Sequence, residues 1–166
     1  NGALLAGSVV EDPAGTFKLT PSALPDGNYR ISATATDTAG NKSDAAIVQD
    51  VVIDTTAPQV SIDATLEVDN IVNNAEEGSV VVTGTSAGAV GRTVTVTADD
   101  SNGGTAAASG TATIGTDGTY TVSLDVSGLD DGSITITADV SDLAGNTATQ
   151  ATKTITLDDT VPSIAL

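Results

Sequence analysis

The reactive side chains in this sequence are almost all carboxylates. Of its 166 residues, 22 are Asp or Glu and 5 are Lys or Arg, for a net charge of −17, and there is no Cys or His. Disulfides, redox chemistry and thiolate-metal sites are therefore excluded. Two kinds of carboxylate chemistry remain, acid–base work by a pair of acids and ligation of a hard cation. The first needs a pocket holding perturbed groups. Pairs such as Asp99-Asp100 are instead expected in glycine-rich turns open to water, so the chain does not read as an enzyme. The second suits calcium, which takes about six to eight oxygen ligands in flexible geometry. The competing account is that the acidity only keeps a surface soluble and self-repelling.

The elements that must position these acids are strands. Apolar residues alternate with Thr and Ser at Val60-Ile62-Ala64, Val80-Val82, Val94-Val96-Ala98 and Ala112-Ile114. The same alternation continues at Tyr120-Val122-Leu124-Val126, Ile134-Ile136-Ala138-Val140 and Ile155-Leu157. A period of two marks half-buried strands. Gly, Asn and Asp punctuate them at DDSNGG (99–104), GTDGT (115–119) and GLDDG (128–132), and no segment has helical periodicity. With 39% hydrophobic residues so patterned, the chain folds despite its charge. Its core is small, made of Val, Ile and Ala, and calls for stabilisation from elsewhere.

The pattern occurs twice. GTFKLTPSALPDGNYRISATATDTAGN…VVIDTTAPQVSI is echoed by GTYTVSLDVSGLDDGSITITADVSDLAGN…ITLDDTVPSIAL. Phe17 and Tyr120 lie 103 residues apart, Asp26 and Asp131 105, and Pro58 and Pro162 104. Strands, turns and linkers recur together, so a period of about 104 residues is one domain of a tandem array. The reading is three pieces: residues 1–57 as the C-terminal part of one repeat, 58–159 as a whole repeat, and 160–166 as the start of another. The first piece has no segment matching Gln59 to about Asp100, which would leave apolar edges open to strands from another chain. Seven strands in about 100 residues read as tandem all-β, immunoglobulin-like sandwiches.

If the strands run up and down, the acids collect at two poles. One pole carries Asp117, Asp142 and Asn146 beside Asp54 of the incoming linker, with Asp26 and Asp50 brought by the preceding unit. The other carries Asp69, Glu76, Glu77, Asp99, Asp100, Asp130, Asp131, Asp158 and Asp159. Converging carboxylates repel unless a cation lies among them, so these poles are candidate calcium sites that would stiffen a hinge. Each has a plainer account. DxAGN is also a loop in which Gly and Asn take positive φ and Asp caps its own backbone. DTTAP and DDTVP are also simple extended connectors, and the AEEG turn a solvated loop. No spacing matches an EF-hand or the nonapeptide calcium repeat.

DTAGN…VVIDTTAPQVSI, DLAGN…ITLDDTVPSIAL and VDNIVNNAEEGSVVVTGTSAGAVGRTVTVT resemble the bacterial immunoglobulin-like repeats of giant type I-secreted adhesins, the RTX and biofilm-associated surface proteins. The resemblance covers essentially the whole chain. It implies export to the cell surface, a role as extender between a membrane-retained end and a distal binding module, and calcium at or near the domain junctions. Carried over by position, Asp54, Asp158, Asp37 and Asp142 are the ligand candidates. Adjacent repeats are the implied partners, with strand donation or lateral contact from another copy as a further one. The alternative is that the repeats themselves bind a glycan, a host protein or a neighbouring copy. An exposed aromatic platform would favour it, and Phe17, Tyr29 and Tyr120 are the only aromatics. The five basic residues are scattered, which excludes a nucleic-acid footprint, and no apolar run has transmembrane length.

Overall fold

The computed structural model describes residues 7–12, 16–44, 46–100, 102 and 106–164, with the side chains of 7–12, 16, 17, 19 and 46–49 outside that description. The chain divides into two units, residues 1–56 and 57–166.

In the second unit the Val/Ile alternation becomes two facing sheets. One has the order β10 (Thr119–Leu124), β7 (Val80–Ala87), β5 (Gln59–Ile62). The other has the order β6 (Ile71–Asn73), β12 (Ala151–Asp158), β11 (Gly132–Asp139), β8 (Thr93–Asp99), β9 (Ala108–Thr113). Pairing is antiparallel except between β6 and β12, which run parallel with Thr156 beside Ile71 and Asp158 beside Asn73. All seven expected strands are present, and the fold is the expected immunoglobulin-like sandwich. The expected loop Leu66–Gly78 also holds β6, an extra strand. Three residues are too few to show a period, and β6 exists because β12 offers it an edge.

The core lies between the sheets. Val80, Val82, Val94, Val96, Ile134 and Ile136 are fully buried, as their alternation requires, while Val81 and Thr95 between them are exposed and Thr135 is partly so. Its one aromatic side chain is Tyr120, 3% exposed, whose hydroxyl donates to the Ser61 carbonyl at 2.8 Å. Burial, with Asp63 nearby, pushes this phenol up to about 12. Gly84 on β7 makes that packing possible, since a Cβ there would lie 2.0 Å from the Ser61 carbonyl oxygen and 2.5 Å from the Tyr120 hydroxyl.

In the first unit, β1 (Gly7–Asp12) pairs with β2 (Thr16–Pro21), and β3 (Gly27–Ala33) pairs with β4 (Ala46–Ile53), both antiparallel. Tyr29 and Ile31, which match the fully buried Ile134 and Ile136, are only partly buried. The Phe17 side chain lies outside the described residues. The recurring landmarks β2 and β10 have different partners: β10 pairs with β7, whereas β2 pairs with β1. A strand's sequence sets its face, and the strands available set its neighbour.

Ile136→Ala is expected to cost about 2–5 kcal/mol by the cavity it leaves. Gly84→Ala is expected to cost about 1–3 kcal/mol by overpacking, whereas Gly128→Ala, where a Cβ meets nothing within 4 Å, costs much less. Urea unfolding curves of the three variants check the order.

Candidate functional site

Most acids singled out in the sequence hold their own loops. In DxAGN the backbone turns sharply at Gly40 (φ 91°) and Gly145 (φ 95°), while Asn41 and Asn146 keep negative φ. What the Asn contributes is its amide. Asn41 Nδ2 donates to one Asp37 oxygen at 2.8 Å, while the Asn41 and Ala39 N–H groups donate to the other at 2.8 and 2.9 Å. Asp142 is bound in the same way by Asn146 Nδ2, Asn146 N–H and Gly145 N–H, all at 2.8 Å. Asp142 is only 4% exposed, so these bonds replace the water it has lost. The Asn amide, and after it backbone N–H groups, holds both carboxyls below the usual range.

Asp117 serves its own turn, accepting from the Thr119 N–H at 3.1 Å and hydroxyl at 2.9 Å. Asp69 accepts from Ile71 N–H at 2.9 Å, and Glu76 from Asn73 N–H at 3.1 Å. Their neighbour Asn70 and the preceding Glu67 and Val68 take positive φ, which tightens that loop. Asp50 pairs with Arg30 at 3.4 Å with both side chains well exposed, a contact of little energetic weight.

The linkers are held from behind. Asp26 accepts from Thr55 N–H at 3.0 Å, Thr55 hydroxyl at 2.8 Å and Thr56 hydroxyl at 2.8 Å. Asp131 accepts from Asp159 N–H at 2.9 Å and Thr160 hydroxyl at 2.7 Å. Asp54 and Asp158 accept from the N–H two residues on, at 3.1 and 3.2 Å. The Thr56 hydroxyl chiefly depresses the Asp26 carboxyl, and the Asp159 N–H that of Asp131.

The pole of the second unit at the end of β12 does gather acids. Asp100, expected in a turn open to water, is instead 6% exposed; Asp130 N–H donates to it at 2.8 Å, and Asn102 Nδ2 donates to Asp130 at 3.2 Å, joining two loops of the pole. In the same unit Glu77, in the 3-10 turn Glu77–Ser79, feels the negative charge of Asp159, Asp125 and Asp131. Its Oε2 is buried with no hydrogen-bond partner. Partial burial first, and then the charge of Asp159, raise its carboxyl above the usual range. Glu77 was one of many acids in the sequence; its isolation follows from the turn that tucks it under the pole. Among the described residues no three acids stand as a ready metal cage.

A surface groove of about 510 Å³ beside β5 is lined by Pro58, Gln59, Ser61, Thr85, Ala87 and Thr149 among others, with no aromatic or charged side chain. Tyr120 is buried, and Tyr29 is half-buried with its hydroxyl on the Pro25 carbonyl at 2.7 Å. Neither forms an aromatic platform.

Residues 1–55 match the model of a family described as a bacterial Ig-like domain. Over 90% of its length the chain also superposes, at 27% identity and a TM-score of 0.54, on a crystal structure described as a tetra-tandem repeat in the extending region of a large adhesion protein. The chain resembles tandem bacterial Ig-like repeats. It spans 40% of that adhesion-protein structure. More distant likenesses are to a 1.5-MDa bacterial ice-binding adhesin (24% identity, 88% of this chain, 51% of that one, TM-score 0.42) and to the D00-D0 domain of intimin (16%, 93%, 79%, TM-score 0.38). No curated protein matches in sequence. Among the described residues no helix is long and apolar enough to cross a membrane.

The depressed acids and Glu77 act oppositely on stability. Asp26, Asp37, Asp131 and Asp142 contribute stability above their unfolded pKa, which is lost as pH falls through their lower folded values. Glu77 is better tolerated protonated, so its contribution is present at low pH and is lost as pH rises through its elevated value. In chelator, Glu77→Gln is therefore expected to raise the melting temperature near pH 7 and to leave it unchanged near pH 3, read from melts across about that range.

Proposed function

We propose that these units are extender repeats of a bacterial surface adhesin, spacing a distal binding module from the cell and acting as structural rather than catalytic elements. The likeness to the extending-region repeats over nearly the whole chain carries the reading. The make-up of the chain supports it. A unit that recurs with its linker can be lengthened by duplication, and shared negative charge opposes collapse of neighbours onto each other. Contacts between adjacent repeats, export and a place on the cell surface belong to the same proposal. So does the division into repeats at residues 58 and 159.

We further propose that calcium stiffens the pole at the end of β12, held by Glu77 with Asp125, Asp131 and Asp159. What supports a hard cation is that Glu77 Oε2 is buried and unpartnered and that the carboxyl feels the charge of Asp159, Asp125 and Asp131. A bound cation would neutralise their repulsion and tie the outgoing linker to the 3-10 turn. Asp37 is bound by Asn41 and Asp142 by Asn146, and Asp125 and Asp131 hold backbone N–H groups as Asp26, Asp54, Asp69, Glu76, Asp117 and Asp158 do, so Glu77 Oε2 is what sets this pole apart. The cation reading therefore rests on the Glu77 pole.

Thermal melts of the chain with calcium and with chelator test this. At a hundredfold excess over Kd, binding to the folded state alone adds about 2.7 kcal/mol. The rise is expected to disappear in Glu77→Gln and to persist in Asp142→Asn. A calcium response equal in wild type and Glu77→Gln would remove the cation from this pole, leaving the extender reading to stand on the repeats.

A further inference from the structure

One hydrogen-bond pattern occurs twice, at the end of each unit, and nothing in the extender reading requires it. Asp26 stands one residue before β3, whose first residue Gly27 is opposite Ile53 at the end of β4. Asp131 stands one residue before β11, whose Gly132 is opposite Leu157 near the end of β12. Each carboxylate thus lies beside the chain as it leaves the last strand, and it uses its two oxygens separately. Oδ1 takes the N–H of the next residue (Thr55 at 3.0 Å, Asp159 at 2.9 Å), and Oδ2 takes the hydroxyl of the Thr after it (Thr56 at 2.8 Å, Thr160 at 2.7 Å). The Thr N–H is held in turn by Asp54 or Asp158. The two units, 105 residues apart at this Asp, share these bonds although position 55 is Thr and position 159 is Asp; the Thr55 hydroxyl adds one more to Asp26 Oδ1, at 2.8 Å.

We propose that Asp26 and Asp131 are linker-positioning residues, each locking the first two linker residues onto the unit behind it without any cation. The clamp gains its effect from the stiffness of the next two residues. Ala57, after Thr56, is restricted to extended backbone by the proline beyond it, and the ring of Pro58 fixes φ; β5 then begins at Gln59. Two residues are clamped, one is restricted and one is rigid, so few torsions are left to swing. After Thr160, Val161 and Pro162 repeat the arrangement. The lock is independent of calcium, since every donor is an N–H or a hydroxyl.

Backbone ¹⁵N relaxation of the whole chain in chelator tests this. Order parameters at Thr55, Thr56, Asp159 and Thr160 are expected near the rigid-backbone value of about 0.85 in the wild type. At Asp159 and Thr160 they are expected to fall below about 0.6 in Asp131→Ala, with amide protection in β11 and β12 retained. Thr160→Val is expected to loosen the same residues, and Thr160→Ser, which restores the hydroxyl, to keep them rigid. Asp26→Ala repeats the test at Thr55 and Thr56. If an alanine variant does not fold, the Val and Ser pair at Thr160 decides. Linker amides that are mobile in wild type until calcium is added, or that stay rigid in the Asp131→Ala and Thr160→Val variants, overturn the proposal.

Discussion

A carboxylate accepting backbone N–H groups is the interaction on which this chain's loops depend. The core supplies cohesion through Val and Ile packed between two sheets, with loop residues such as Leu66, Val126 and Leu129 joining it. The chain has no Cys to form disulfides, and the one aromatic buried among the described residues, Tyr120, is spent on Ser61. Asp and Asn take over the task. Asp37, Asp117, Asp125 and Asp142 each fix a turn by accepting nearby N–H or hydroxyl groups. Part of the chain's negative charge therefore sits in groups that hold its turns.

That use of acid explains why the site residues divide as they do. A carboxylate bound by two or three donors has its charge dispersed and is content when ionised, which shows in the depressed titration of the turn acids. Glu77 is the exception, since it faces other acids with one oxygen buried and unpartnered. The contrast sets Glu77 apart from the acids that build the loops.

The sandwich was legible in the sequence because its strands obey strict alternation and its repeat duplicates every landmark. Ile134, Ile136, Val94 and Val96 needed only their period to be placed inside. The short strand β6 was not legible, because Ile71–Asn73 owes its form to an edge contributed from a distant part of the chain. The acids were legible as a group and misleading one by one. DxAGN showed an Asp and an Asn at a fixed spacing, but only the closed loop shows the Asn amide turned inward onto the Asp. Asp26 and Thr56 lie 30 residues apart, and no local pattern joins them. Glu77 was hidden for the same reason, since its neighbours come from three other places in the chain.

The parallel pairing of β6 with β12 bears on how such a unit carries load. β6 lies near the start of the second unit and β12 near its end, side by side and pointing the same way. Tension applied to the two ends meets β5 and its pairing with β7 first; once β5 has given way, it pulls β6 and β12 in opposite directions along their common axis. Ile71, Val72 and Asn73 must then slide past Thr156, Leu157 and Asp158 with their bonds strained together, rather than peel away one rung at a time. The short strand hardest to find in the sequence acts as a shear latch against being drawn out.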